Sequence, residues 1–82
     1  MKRIVKGLLY DTEKAEVVSR QKLPEGWATL YCTKKGHYFL HTEYTTLETI
    51  EPMTANEAFE WLAEHDPDKA IELFPEKHIE EA

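Results

Sequence analysis

Aromatic and β-branched residues fill two short segments in the middle of the chain, and a loop at residues 34–36 separates them. Such residues favour strands. Gly36 supplies the positive φ required in a three-residue loop built from a type I turn and a G1 bulge. The pattern predicts a β-hairpin over Trp27–Tyr44 in which Thr33 faces His37. A two-residue turn at residues 35–36 is the weaker alternative.

The loop length determines which side chains of this hairpin share a face. A three-residue loop places Leu30, Cys32, Tyr38 and Leu40 on one face, and a one-residue slip rearranges both faces. The other face then carries Thr29, His41 and three aromatic residues. Large exposed apolar patches usually mark partner surfaces. The candidates for an apolar interface are therefore Trp27, Tyr31 and Phe39.

The N-terminal third of the chain predicts a first hairpin. Arg3–Tyr10 alternates imperfectly, a polar turn follows at residues 11–14, and Ala15–Arg20 is typical of a second strand. Proline and glycine then predict a loop over residues 21–26. Two consecutive hairpins joined by short connections form a four-stranded antiparallel meander. A short extra edge strand at about Thr46–Glu51, ending before Pro52, is left open.

Two helices are predicted near the C-terminus. Thr54 and Glu57 have the spacing of a capping box, which predicts a helix from about Thr54 to His65. Asp66 then forms an N-cap with proline at the first helical position, and a short second helix extends to about Phe74. The apolar stripe of the first helix consists of Ala55, Ala58, Phe59 and Leu62, with Trp61 at its border.

The sequence therefore predicts an α+β fold in which a capped helix and a second short helix pack on a four-stranded antiparallel sheet. Residues 1–75 form one domain, and residues 76–82 are an acidic, frayed tail. One layer of helices covers only one face of the sheet. Either homodimerisation or wrapping of the second helix around the sheet would cover the other face.

Charge is divided unequally along the chain. Residues 1–41 hold eight Lys and Arg against four Asp and Glu, whereas residues 42–82 hold two against twelve. One cysteine cannot form an internal disulfide, and residues 1–10 lack the uninterrupted apolar run of a signal peptide. No stretch approaches the ~20 apolar residues of a membrane span. We therefore expect a cytoplasmic protein that does not associate with membranes.

Residues suited to metal or covalent chemistry are few. Cys32, His37, His41 and His78 lack the paired spacing of a structural zinc site. His37 and His41 point to the same face of a strand but lie about 13 Å apart at ~3.3 Å per residue. Cys32 is expected to pack as a small hydrophobic residue. We expect no catalytic residue, no metal site and no cofactor, and therefore a non-enzymatic protein.

Three sequence blocks resemble a known group of proteins. They are LYDTEKAEVV at residues 9–18, TLYCTKKGHYFLH at 29–41 and IEPMTANEAFEWL at 50–62. They are similar to small uncharacterised proteins carried by phages, plasmids and integrative elements of Firmicutes and related bacteria. The resemblance implies no established activity. It implies a mobile-element context, in which small acidic proteins often inhibit host defence as anti-CRISPR or anti-restriction factors.

The leading functional hypothesis is a binding module that engages a protein partner, such as a basic nucleic-acid-binding effector, through its acidic helices. The candidate residues are Glu57, Glu60, Glu64, Asp66, Asp68 and Glu72. The alternative is a nucleic-acid-binding regulator that uses its basic, aromatic strands, although the net charge of −6 opposes it. Its candidate residues are Lys34, Lys35, Arg20 and Lys22. The third hypothesis is a homodimeric structural protein.

Overall fold

The computed structural model describes residues 1–82 and contains six β-strands and two α-helices. The predicted α+β class is confirmed. Neither helix has the length and apolar character that crossing a membrane would require. In chain order the elements are β1 (Lys2–Val5), β2 (Leu8–Asp11), β3 (Glu16–Leu23), β4 (Gly26–Cys32), β5 (Tyr38–Tyr44), β6 (Glu48–Met53), α1 (Ala55–His65) and α2 (Pro67–Leu73).

Strands β3 to β6 form a four-stranded antiparallel sheet in which each strand pairs with the next one in the chain. Strands β1 and β2 pair with each other and form a separate two-stranded sheet. The predicted four-stranded meander is confirmed, but it is built from a different set of strands. Residues 48–53, left open as a short edge strand, provide the fourth strand, and residues 2–11 provide none.

The segment predicted as one strand, Arg3–Tyr10, is a hairpin. Lys6 and Gly7 have φ angles of 51° and 79°, and Val5 pairs with Leu8 across them. Two consecutive residues with positive φ form the type I′ turn that suits a two-residue hairpin loop. The single-strand prediction is wrong because a lysine occupies the left-handed region, which the alternation of apolar residues does not reveal.

Two connections and one proline also differ from the prediction. The polar turn at residues 11–14 is present, with the Glu13 amide donating to Asp11 Oδ1 at 3.0 Å, but the strands that it joins do not pair with each other. The predicted loop over residues 21–26 is wrong. Strand β3 continues to Leu23, which pairs with Gly26 of β4, so only residues 24–25 form the turn. Pro52 lies inside β6, opposite Phe39. Because β6 is an edge strand, the missing proline N–H costs no hydrogen bond within the sheet.

The central hairpin has the predicted three-residue loop. The Thr33 amide donates to the His37 carbonyl at 2.8 Å, and the Gly36 amide donates to the Thr33 carbonyl at 2.9 Å. Gly36 has a φ of 87°, as the G1 bulge requires. In this register Leu30 lies opposite Leu40, and both lie on the face that the helices cover.

Both predicted helix starts are confirmed. Thr54 Oγ1 accepts from the Glu57 amide at 3.1 Å, and Glu57 Oε1 accepts from the Thr54 amide at 2.9 Å, which completes the capping box. Asp66 precedes the first residue of α2, and its Oδ1 accepts from the Lys69 amide at 3.4 Å. Asp66 Oδ2 also accepts from the Ser19 hydroxyl at 2.7 Å. This last bond ties the junction of the two helices to β3.

The helices cover one face of the four-stranded sheet. Leu30 and Leu62 are fully buried at this contact, whereas Ala55, predicted in the apolar stripe of α1, is exposed. Full burial of a leucine side chain contributes about 1.5–3 kcal/mol. The buried residues of this first core are Leu30, Ala58, Leu62, Ala70 and Phe74.

The N-terminal hairpin covers part of the opposite face. Phe39 is fully buried there, with its ring centroid 5.5 Å from that of Tyr10 and 5.0 Å from that of Tyr31. Arg3 Nη1 donates to the Ile50 carbonyl at 2.5 Å and holds the hairpin against β6. The alternative in which α2 wraps around the sheet is wrong, because α2 packs beside α1 in the first core. Homodimerisation stays a prediction.

The seven residues predicted as an acidic tail contain no helix or strand. Lys77 nevertheless contacts the domain. Its Nζ donates to Asn56 Oδ1 at 3.0 Å and lies 5.2 Å from the ring centroid of Phe59. The start of this segment therefore lies against α1.

Candidate functional sites

The carboxylates predicted to bind a partner lie on the two helices or, for Asp66, at the junction between them. Glu60 and Glu64 lie one turn apart on α1, which contains no lysine or arginine. Asp68 and Glu72 lie one turn apart on α2, where Lys69 Nζ is 3.2 Å from Glu72 Oε2. All four carboxylates are exposed. We call these four residues the acidic helical face.

The other two predicted residues, Glu57 and Asp66, have structural hydrogen bonds. Glu57 is exposed, but its carboxylate accepts the Thr54 amide in the capping box. Asp66 is half-buried and accepts both the Ser19 hydroxyl and the Lys69 amide. Replacing an N-cap residue by alanine typically costs ~1 kcal/mol. Substitutions at Glu57 or Asp66 therefore change the stability of the protein as well as its surface charge, so neither residue is suitable for a test of binding.

The three aromatic residues predicted as an apolar interface are exposed to very different degrees. Phe39 is fully buried beneath the N-terminal hairpin, so its prediction as an interface residue is wrong. Tyr31 is half-buried and stacks on Phe39 with an interplanar angle of 8°. Trp27 is 36% exposed. Its ring centroid lies 4.2 Å from Arg20 Cζ and 5.0 Å from Lys22 Nζ. The tryptophan thus belongs to a cationic cluster rather than to an apolar patch.

The four predicted basic residues fall into two groups. Arg20 and Lys22 flank Trp27 near one end of the central hairpin, whereas Lys34 and Lys35 lie in the loop at its other end. The two groups do not form one patch. Lys34 and Lys35 line an open cleft of about 390 Å³ that the β1–β2 hairpin also borders. Its other lining residues include Leu8, Leu9, Tyr10, Lys14 and His37.

A histidine between two carboxylates lies on the face of the sheet that the helices leave free. His41 is 5% exposed, and its Nε2 lies 2.6 Å from Glu48 Oε2. Its Nδ1 lies 3.9 Å from Glu43 Oε2. The three side chains line a second cleft of about 370 Å³ together with Thr29, Tyr31 and Arg20. This cluster was not predicted from the sequence, because the spacing of histidines was compared only with that of cysteine and of other histidines.

Tyr31 borders this second cleft, and its pKa responds to the charges there. Burial raises the pKa of the Tyr31 hydroxyl above its ordinary value, the negative charge of Glu43 raises it further, and Arg20 lowers it in part. The phenol is therefore neutral at physiological pH. Tyr31 supplies the cleft with a neutral polar group and a stacked ring, not with a base.

Cys32 lies half-buried at the end of β4, opposite Glu16 on β3. Burial raises the pKa of its thiol, and the Glu16 carboxylate raises it further. A raised pKa lowers the thiolate fraction at neutral pH, and the thiolate is the form that reacts. This environment is the opposite of that of a catalytic cysteine.

We therefore expect Cys32 to react with iodoacetamide more slowly at pH 7.5 than the free thiol of an uncharged reference such as N-acetylcysteine amide. Its rate should continue to rise with pH above the range in which the free thiol levels off. The Glu16→Gln variant should react faster than the wild type, because it lacks the neighbouring negative charge. Glu13→Gln, which removes a charge not identified as acting on Cys32, is the control. Equal rates for the two variants would contradict the assignment of Glu16.

No protein-family model, curated protein or solved structure matches this chain at a significant level.

Proposed function

We propose that this chain is a non-enzymatic binding protein that engages a basic protein partner through the acidic helical face. The observation that carries the proposal is the exposure of four carboxylates on two adjacent helices, where only Glu72 has a lysine partner. Like charges four residues apart on a helix repel each other by ~0.2–0.5 kcal/mol. A basic partner relieves this repulsion and gains attraction to each carboxylate.

The chemistry of this face also indicates the class of partner. Complementary charge accelerates association and orients the encounter, and both effects weaken as salt screens the charges. A surface that normally holds nucleic acid, rich in lysine and arginine, has the required complementarity. The resemblance to mobile-element proteins directs the search to cytoplasmic effectors of host defence, which the acidic helical face would inhibit by occupying a nucleic-acid groove.

The test compares two variants with equal net charge. The first, Glu60→Lys/Glu64→Lys/Asp68→Lys, reverses the charge of three of the four carboxylates of the acidic helical face. The second, Glu13→Lys/Glu25→Lys/Glu81→Lys, reverses three exposed carboxylates outside the helices. Wild type and both variants are used to capture proteins from a bacterial lysate at low and high salt, and the captured proteins are identified by mass spectrometry. Each captured protein is then purified and titrated against all three chains.

We expect the wild type and the second variant to bind the same basic protein at low salt. The first variant should bind it at least tenfold more weakly, since six units of charge change at the contact. Circular dichroism verifies that both variants fold. Equal affinity of the two variants for that protein would show that binding depends on net charge or on another surface, and would overturn the proposal.

The cleft beside Lys34 and Lys35 supports a second candidate function, the binding of single-stranded nucleic acid. Lys14 and His37 line the same cleft, and apolar groups of Leu8 and Leu9 border it. Cationic grooves with adjacent aromatic rings bind single strands in a salt-dependent way. A gel shift with a single-stranded oligonucleotide at low salt, abolished in Lys34→Glu/Lys35→Glu, supports this function. No shift of single or double strands at low salt excludes it.

A further inference from the structure

The buried ring of His41 has one nitrogen without a hydrogen-bond partner. Nε2 contacts Glu48 Oε2 at 2.6 Å, but Nδ1 is buried and has no hydrogen bond. The nearest carboxylate oxygen, Glu43 Oε2, is 3.9 Å away, beyond hydrogen-bond distance. Leaving a buried polar atom without a hydrogen-bond partner is energetically unfavourable. A cation that binds both the Nδ1 lone pair and the Glu43 carboxylate would satisfy this nitrogen.

Proton placement alone does not satisfy Nδ1. If Nε2 carries the proton of a neutral ring, the proton is donated to Glu48, and the lone pair of Nδ1 faces a negative carboxylate. If both nitrogens are protonated, the Nδ1 proton has no acceptor within hydrogen-bond distance. A divalent metal ion between Nδ1 and Glu43 satisfies both groups. Glu48, which accepts the Nε2 proton, then has the role of the carboxylate that commonly orients a metal-binding histidine from its other nitrogen.

The distances also suit a metal ion. One ligand atom each from His41, Glu43 and Glu48 lies within 4.8 Å of the other two. Zinc–nitrogen and zinc–oxygen bonds are ~2.0–2.2 Å. A rotation of the half-exposed Glu43 carboxylate therefore brings one of its oxygens and His41 Nδ1 within reach of one ion, while Glu48 keeps its bond to Nε2. The strands hold the set in place, because Glu43 follows His41 by two residues on β5 and pairs with Glu48 on β6.

We propose that His41, Glu43 and Glu48 form a binding site for one divalent transition-metal ion, with zinc as its best representative. His41 Nδ1 and the Glu43 carboxylate bind the ion directly, and Glu48 orients the ring. Water from the adjacent cleft completes the coordination. Imidazole and carboxylate together favour Zn²⁺ over Ca²⁺ and Mg²⁺, which prefer all-oxygen sites. This site lies on the opposite sheet face from the helices and does not depend on the proposed function.

Arg20 provides an independent prediction about the site. Arg20 lines the same cleft as the two carboxylates, so its positive charge lies near the proposed site. This charge repels a cation, so the site should bind zinc with only moderate affinity. Removing the charge in Arg20→Gln should tighten zinc binding. A purely structural cluster, in which His41 serves only to pack the sheet, predicts no such increase.

The test is a titration of the purified protein with Zn²⁺ alone, by isothermal calorimetry and by ¹⁵N NMR of the histidine rings. We expect one equivalent to bind and to shift the Nδ1 resonance of His41. Glu43→Gln should weaken binding at least tenfold, and Arg20→Gln should strengthen it severalfold. Glu25→Gln, which changes an exposed carboxylate elsewhere, should match the wild type.

Two further measurements keep the result interpretable. The conservative His41→Gln variant removes the ligand, and its circular dichroism and melting temperature without metal show whether it folds. If it does not fold, Glu43→Gln and the NMR shift decide the outcome. The proposal is overturned if the wild type binds no Zn²⁺ at about 1 mM, a concentration that detects even millimolar binding. It is also overturned if Glu43→Gln binds like the wild type, or if zinc shifts only His37, His65 or His78.

Discussion

Replacing Phe39 by alanine is expected to lower the free energy of unfolding by about 3–5 kcal/mol. The side chain is fully buried, with the ring of Tyr10 packed edge-on and the ring of Tyr31 stacked on it. A domain of this size has a total stability on the order of 4–12 kcal/mol. Phe39 is therefore a major source of stability and joins the N-terminal hairpin to the four-stranded sheet through its contact with Tyr10.

The conservative variant Phe39→Leu separates lost volume from lost aromatic contact. It should cost less than Phe39→Ala, because it leaves a smaller cavity, and urea unfolding measures both values. Hydrogen exchange shows which elements of the structure are destabilised by the substitution. We expect amides of β1 and β2 to lose protection in Phe39→Ala before those of α1, which packs on the other face. Equal loss of protection in α1 and in the N-terminal hairpin would contradict independent packing on the two faces.

The parts of the fold that follow local chemistry were predictable from the sequence. The register of the central hairpin depends on one glycine with a positive φ, and Gly36 has a φ of 87°. The helix starts depend on side chains that bond to amides within three residues, and Thr54 and Asp66 make these bonds. Both features are properties of a few adjacent residues, so composition and spacing determine them.

The parts that depend on tertiary contacts were not predictable. Lys6 adopts a positive φ although lysine rarely does so, and the hairpin that results covers Phe39. Pro52 normally ends a strand, but at an outer edge it is tolerated. Sequence patterns show that both sheet faces are apolar. They do not show which element covers each face, because that choice is made by long-range packing.

Some features of the candidate sites also follow from local sequence, whereas others depend on tertiary contacts. The carboxylates of α1 were predictable as a surface because helical spacing places them on one side. The hydrogen bond between Asp66 and Ser19 was not predictable, since 47 residues separate the two. The cluster of His41, Glu43 and Glu48 requires the register between β5 and β6. A His-x-Glu pattern on a strand, followed by a glutamate across a short turn, was the only available signal.

Introducing one methyl group at Gly26 is expected to destabilise the fold by about 3 kcal/mol, at the upper end of typical overpacking costs. A Cβ at this position would lie 1.8 Å from the Glu43 carbonyl oxygen and 2.9 Å from its carbonyl carbon. These atoms belong to the backbone of the adjacent strand, so β4 and β5 must separate there. The displacement would also move the Glu43 carboxylate away from His41.

Gly36→Ala is the matched control for this prediction. Its φ of 87° makes alanine strained, but no atom lies within 4 Å of the added Cβ, so the expected cost is only the ~1–2 kcal/mol of a left-handed residue. Urea unfolding should place Gly26→Ala below Gly36→Ala in stability. In the folded fraction, Gly26→Ala alone should weaken zinc binding, because only that change displaces Glu43. A cost at Gly26 no larger than that at Gly36 would mean that the two strands separate easily. In that case the position of Glu43, on which the metal site depends, would not be fixed by the sheet.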